Sequence, residues 1–329
     1  MCVQYASFRF LENAEIKPAG GGRIRQRPFP FPARRLNDVL LNVHGAKSNT
    51  AGHSNSPVLT VYALVNLGYI DKMNFLSYNY IEINIKGGLY MDTIKFKKGN
   101  TLVIAHRGLS GIETENTNAA FVAAGNRSYY GVETDTHITS DGRFVINHDF
   151  DLRRVSGENV PVEEVSLALL QQVVLFDSDG SKDRMDLRPG TLENYISICK
   201  KYDKHCVLEL KSDFTGEALR RMVDIIRGYN YLDSTTFISF NYKNLTGIRE
   251  IIPEQSVQFL FSECTKEIID RLIADRIDAD VYFKALSKEV VERLHDAGRK
   301  VNCWTVDQRE DAEQLVEWGV DYITSNILE

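Results

Sequence analysis

Beyond Asn100 the chain alternates between two hydrophobic patterns. Short runs rich in β-branched and aromatic residues recur at 101–105, 131–136, 143–148, 206–211, 236–240, 257–261, 279–283, 300–305 and 320–324, each with the length and composition of a strand. Between most of them, apolar residues return every three or four positions. In GEALRRMVDIIRGY (216–229), for example, Leu219, Met222, Val223 and Ile226 share one face while the arginines point elsewhere. The alternation predicts parallel strands joined by helical crossovers. Nine such runs over about 225 residues, with no GxGxxG after the first, fit a TIM-type (β/α)8 barrel better than an open Rossmann sheet. Ser140-Asp141-Gly142 joins two runs with no helix between them, so one unit is expected to be irregular.

The first ninety residues read differently. They contain a glycine run at 20–22, the proline-rich RPFPFPARR at 27–35 and the polar GAKSNTAGHSNS at 45–56, with no sustained helical or strand period. They also hold 10 basic and 5 acidic side chains, which leaves 29 and 40 for the remainder: +5 against −11. The expectation is that 1–90 is an irregular basic leader outside the barrel, disordered or a mis-assigned translation start. In IKGGLYM (85–91), Lys-Gly-Gly can be encoded as a bacterial ribosome-binding sequence about seven nucleotides before the Met91 codon. On that reading the domain is 91–329.

Composition narrows the function. With 329 residues, 43% of them hydrophobic, the chain can bury a full core. A net charge of −6 has the wrong sign for a dedicated nucleic-acid binder. The longest apolar stretch, 57–70, is interrupted by Thr60, Asn66 and Gly68 and is too short to span a bilayer, and charges within 1–20 break any signal-peptide core. Cys2, Cys199, Cys206, Cys264 and Cys303 contain no CxxC pair and read as reduced thiols of a cytoplasmic protein. Oligomeric state is not legible.

Chemistry gathers at the strand ends, where a barrel places its active site. The first strand runs into His106-Arg107-Gly108. The second presents Glu133 and Asp135 two residues apart, on one face. The third ends in Asn147-His148-Asp149, and the fourth carries Glu209 and Lys211. Carboxylates crowded inside a barrel repel one another unless a cation lies between them. Three carboxylates suit a hard divalent ion, Mg2+ or Ca2+, with positions left for substrate and water. Arg107 and Lys211 would offset phosphoryl charge, and His106 and His148 would move protons. The residues therefore point to metal-assisted phosphodiester cleavage.

The motifs AHRGLSGIETENTNAAF (105–121), GVETDTHITSDGRFVINHD (131–149), PGTLENYI (189–196), LELK (208–211), ISF (238–240), WTVD (304–307) and VDYITSN (320–326) together resemble the glycerophosphodiester phosphodiesterase family over about 95–329. The resemblance implies a TIM-type barrel with a small insertion near the mouth, about 150–188. It implies His106 and His148 as the acid/base pair, Arg107 and Lys211 as phosphate contacts, and Glu133, Asp135 and Glu209 as metal ligands. Glu115 and Asn116 match an element that braces the site or reaches the metal, although a helix start capped by Asn116 or Thr117 would use the same residues. Trp304 and Phe240 match aromatics near the substrate. Thr114 and Asp307 depart from the family pattern, which has Pro and often Asn there, so loop shape and leaving-group fit come into question more than activity. His205 and His295 read as surface residues.

The expected activity is hydrolysis of a small-molecule glycerophosphodiester to sn-glycerol 3-phosphate and an alcohol. The alternatives are lysophospholipase D-type cleavage and non-catalytic phosphodiester binding.

Overall fold

The computed structural model describes residues 92–329 throughout and, before them, only the backbone of four strands. These are β1 (Ile16–Pro18), β2 (Asn42–Ser48), β3 (Val58–Val65) and β4 (Asn79–Lys86), an antiparallel sheet in the order β1-β4-β3-β2. The patterning of this stretch shows no sustained strand period, so the sheet is a finding of the structure. The glycine run, the proline-rich segment and the expected start at Met91 lie outside the described residues.

Residues 92–329 form a separate compact unit. Eight parallel strands close on themselves: β5 (Leu102–Ala105), β6 (Gly131–Ile138), then β9 (His205–Leu210), β10 (Thr235–Ser239), β11 (Val257–Phe261), β12 (Asp278–Tyr282), β13 (Val301–Trp304) and β14 (Tyr322–Ser325). β14 pairs with β5 at Ser325↔Ala105 and β5 with β6 at Ile104↔Gly131, which closes the ring of eight strands. The fold is a TIM barrel.

Helices fill the crossovers: α1 (Asn118–Gly125) after β5, α5 (Gly216–Gly228) after β9, α6 (Tyr242–Ile251), α7 (Lys266–Asp275), α8 (Lys288–Asp296) and α9 (Arg309–Trp318) after each strand that follows. Thr117, Thr215, Asn241 and Thr265 each accept a hydrogen bond from a first-turn amide and so define where α1, α5, α6 and α7 begin. On α5 the face read from sequence is the one that is buried, through Leu219, Met222, Val223 and Ile226. Burial of such side chains stabilises the barrel wall by about 1.5–3 kcal/mol each.

The irregular unit follows β6. The Ser140-Asp141-Gly142 turn, with Gly142 at φ +73°, sends β7 (Phe144–Ile146) back antiparallel to β6, and β8 (Gly190–Thr191) pairs antiparallel with β7. The intervening residues carry the short helices α2 (Arg153–Ser156) and α3 (Leu167–Leu170) and close on their own apolar cluster, which includes Leu152, Val155, Val162, Leu170, Leu175 and Leu187. α4 (Leu192–Lys201), capped by Thr191, then leads into β9.

Inside the barrel, Ile104, Val207, Ile238 and Leu260 form a small apolar plug. At the opposite end from the mouth, His205 stacks on Tyr130 at 5.1 Å and bonds Thr236 at 2.8 Å. The sequence pattern points to a surface position for His205, but it opens β9 and turns partly inward between neighbouring strands. His295 is exposed, with Asp321 2.9 Å away. The base also holds Glu329, which is buried and accepts from Thr93 Oγ1 and Ser128 N and Oγ, each at 2.6 Å, with Lys95 Nζ at 2.6 Å.

Candidate active site

Strand register assembles the acidic centre. Glu133 and Asp135 project from the same face of β6, and Asp135 lies opposite Glu209 of β9 in the parallel ladder. One oxygen from each of Glu133, Asp135 and Glu209 lies within 4.8 Å of the others, and all three residues are buried. Burial first, then its two acidic neighbours, drives the Glu133 pKa well upward; burial and Asp135 push Glu209 up to about 8. Burial also opposes ionisation of Asp135, yet Arg107, Lys211 and His148 together hold it down at about 2. Three hard oxygen donors that repel one another fit a divalent cation such as Mg2+ or Ca2+.

Two cations flank the triad. Lys211 Nζ lies 3.0 Å from Glu209 Oε1 and 3.7 Å from Asp135 Oδ1. Arg107 donates from Nη1 to Glu115 Oε1 at 2.8 Å, while its buried Nε, 3.4 Å from Asp135 Oδ2, has no hydrogen-bond partner. Its backbone is in the left-handed region at φ 53°, held there by a bond from its N–H to Glu133 Oε2 at 2.8 Å and one from Asn116 N–H to its carbonyl at 2.9 Å. Gly108 lets the loop continue close over α1, since a Cβ there would meet Ala120 Cβ at 2.6 Å.

The imidazoles arrive by different routes. His106 follows β5 directly, with Nδ1 2.7 Å from Asn326 Oδ1 and Nε2 3.9 Å from Glu133 Oε2. Burial first, then Arg107, lowers its pKa to about 4. The sequence places His148 at the carboxyl end of a barrel strand, but the reversed β7 brings it back instead. Asn147 N–H bonds the Asp135 carbonyl at 3.1 Å, so the chain has returned to the level of the carboxylates when it reaches His148. His148 Nδ1 meets Asp149 Oδ1 at 2.6 Å, and burial lowers its pKa.

Glu115 and Asn116 stand beside the triad rather than at a helix cap, which is Thr117. Asn116 donates to Asp135 Oδ2 at 2.8 Å and accepts from Thr134 at 2.8 Å. Trp304 donates to the Asp280 carbonyl at 3.3 Å, and Phe240, 48% exposed, meets it edge-on at 5.7 Å between ring centres.

Arg154 escapes sequence reasoning, as do the partners of His137 and Thr114. Arg154 of the insertion donates from Nε to Asp149 Oδ2 at 2.7 Å and from both terminal nitrogens to Glu115 at 2.8 Å. It thereby links the partner of His148 to the partner of Arg107. Buried His137 ties Glu163 of the insertion, at 2.9 Å from Nδ1, to the strand that carries Asp135. Thr114 spends its hydroxyl on the Phe176 carbonyl at 2.8 Å, a bond that proline could not make. A groove of about 300 Å³, lined by Glu113, Glu115, Val155, Phe176 and Asp177 among others, opens between this loop and the insertion. The local signal for Arg154 is its spacing five residues after Asp149, but Glu115 is 39 residues away.

A closed parallel barrel whose mouth combines an acidic triad, two cations and two imidazoles has the make-up of a phosphoric diester hydrolase. Residues 106–328 match the sequence model of the Glycerophosphoryl diester phosphodiesterase family, and the chain belongs to that family. It is 30% identical over 232 residues to a glycerophosphodiester phosphodiesterase of Caldanaerobacter subterraneus, covering 69% of this chain and 94% of the relative. Among solved structures it is similar to an Oleispira antarctica phosphodiesterase in complex with the product sn-glycerol-3-phosphate, with a TM-score of 0.65, 27% identity, and coverage of 69% and 93% of the two chains. A glycerophosphodiester phosphodiesterase from Parabacteroides distasonis is similar with a TM-score of 0.57 and 28% identity, over 70% and 94% of the chains. Among the described residues no helix is long and apolar enough to cross a membrane.

Proposed function

We propose that the chain hydrolyses glycerophosphodiesters to sn-glycerol 3-phosphate and an alcohol such as choline, ethanolamine or glycerol. The observation that carries this reading is the buried Glu133, Asp135 and Glu209 cluster beside Arg107, Lys211 and two imidazoles. The three acids would hold Mg2+ or Ca2+, which supplies Lewis-acid polarisation of the phosphoryl oxygens. Arg107, with its unpartnered Nε, and Lys211 bind the non-bridging oxygens and offset their growing charge.

His106 rests on a neutral amide and is held uncharged, which suits it to accept the proton of the attacking hydroxyl. His148 hydrogen-bonds the Asp149 carboxylate, which orients the ring and offsets part of the burial that lowers its pKa, and we assign it the protonation of the leaving alkoxide. Trp304 and Phe240 shield the carbon portion of the substrate on the far side of the mouth. Glu115 and Asn116 brace Arg107 and Asp135. Free Cys199, Cys206, Cys264 and Cys303 support a reducing, cytoplasmic setting.

The test is release of glycerol 3-phosphate from glycerophosphocholine by the full chain, first in EDTA and then with Mg2+ or Ca2+ restored. Metal-dependent release is expected; no release with either ion would overturn the reading. A lysophospholipid substrate belongs in the same assay, because Phe150 and Phe240 leave aromatic surface exposed beside His137 and Trp304.

A further inference from the structure

We propose that Asp307 and Asn326 are paired positioning residues that fix the tautomer of His106, placing the ring proton on Nδ1 and leaving Nε2 as the reactive nitrogen. The proposal rests on the reading of His106 as an acid/base group. Asp307 follows β13 and Asn326 follows β14, so the two rim loops bring them together. Asp307 Oδ1 accepts from the Asn326 backbone N–H at 2.8 Å and from Ser325 Oγ at 2.9 Å, and Oδ2 accepts from Asn326 Nδ2 at 2.6 Å. Both carboxylate oxygens are therefore committed to residues 325 and 326.

The consequence follows from donor and acceptor inventory. A carboxylate only accepts, so the Asn326 amide must turn its NH2 toward Asp307 and its oxygen the other way. That oxygen lies 2.7 Å from His106 Nδ1 and 2.7 Å from Ser110 Oγ. An acceptor at Nδ1 requires a proton there, so in the neutral ring the lone pair is on Nε2, the nitrogen nearest Glu133. The His106 backbone is held independently through its N–H to the Ser325 carbonyl at 2.9 Å. The Asp307 pair thus orients the imidazole without carrying the strand. Whichever way a proton moves during turnover, it moves at Nε2.

Asp307→Asn keeps one acceptor oxygen, which the fixed Asn326 backbone N–H and Ser325 Oγ hold, so the new NH2 falls face to face with the NH2 of Asn326. Asn326 escapes by rotating its amide, presents NH2 to Nδ1, and drives the His106 proton to Nε2. The expected result is a kcat fall of about a hundredfold or more with KM changed by less than about threefold. Adding Asn326→Asp to that variant exchanges the two roles: the amide now at position 307 donates, the carboxylate now at position 326 accepts, and the acceptor at Nδ1 returns. The double variant is expected to recover kcat to within about tenfold of wild type. A merely structural loop tie would be restored by the same exchange but would leave the His106 tautomer unmoved in all three proteins, so the tautomer is read directly.

A second readout does not depend on turnover. Two-bond 1H–15N spectra of the full chain labelled at histidine are expected to show His106 as the Nδ1–H form in wild type, the Nε2–H form in Asp307→Asn, and Nδ1–H again in the double variant. The proposal is overturned if Asp307→Asn keeps wild-type kcat and the Nδ1–H form, or if the double variant stays at the single-variant level in both readouts. If His106→Ala leaves turnover unchanged, the acid/base reading fails instead, while the spectra still decide the tautomer.

Discussion

Buried carboxylates occur at both ends of the barrel, and their environments are opposites. At the base, Glu329 is met by two hydroxyls, an amide and Lys95, and although burial opposes its ionisation, those partners hold its pKa down at about 2. At the mouth, Glu133 and Glu209 are buried against each other and Asp135, and their pKa values rise. The base satisfies its charge with neighbours in the chain, whereas the mouth leaves charge to be satisfied by something it binds. Under the proposed function, the difference separates a residue kept for stability from residues kept at a cost to stability for function.

The sharpest break in the comparison comes from removing a proposed acid/base group. His106→Ala or His148→Ala is expected to lower kcat by about 10²–10⁴-fold while the thermal midpoint holds or rises, as measured by steady-state kinetics beside calorimetry. Chelation comes next. EDTA should abolish turnover, and restoring the ion to about 100 times its Kd should stabilise the fold by about 2.7 kcal/mol, read as a higher melting midpoint. An unchanged midpoint would mean that the triad does not hold the ion.

Glu329→Ala should do the reverse of the histidine variants, costing about 1–3 kcal/mol of stability in urea unfolding and leaving kcat unaltered. The pH dependence of stability carries the same contrast. In the metal-free fold Glu209 keeps its proton up to about 8 but loses it near 4.5 when unfolded, so its contribution to stability falls as pH rises through that window. Glu329, at about 2 when folded, contributes fully above 4.5 and loses that contribution as pH drops toward 2. Glu209→Gln should flatten the first slope and Glu329→Gln the second, in urea titrations across pH; equal flattening by both would erase the distinction between the two ends.

The strands are legible because each is a short apolar run with its own boundary signals, and all nine runs beyond Asn100 form strands within a residue or two. The direction of β7 is harder. The Ser140-Asp141-Gly142 turn announces a hairpin, but only pairing with β6 shows that His148 is brought back down to the triad. The acids and cations are visible because periodicity two puts Glu133 with Asp135 and Glu209 with Lys211 on shared faces. The support behind His106 is not, because Asn326 and His106 are 220 residues apart and no local pattern encodes their contact. Asp307 does leave a trace, as a departure from the family pattern whose meaning becomes apparent only beside Asn326.

The insertion closes on an apolar cluster that reaches the barrel only through Val145 of β7 and Ala119 of α1, and it is tied to the mouth by polar contacts, among them Arg154 to Glu115, Thr114 to Phe176 and Arg184 to Glu113. A segment built this way can be exchanged as a cassette. Lineages, or engineers, could refit the groove to a new leaving alcohol by replacing residues 150–188 and keeping Arg154, while the barrel, with His148 and Asp149 ahead of the exchanged stretch, is inherited intact.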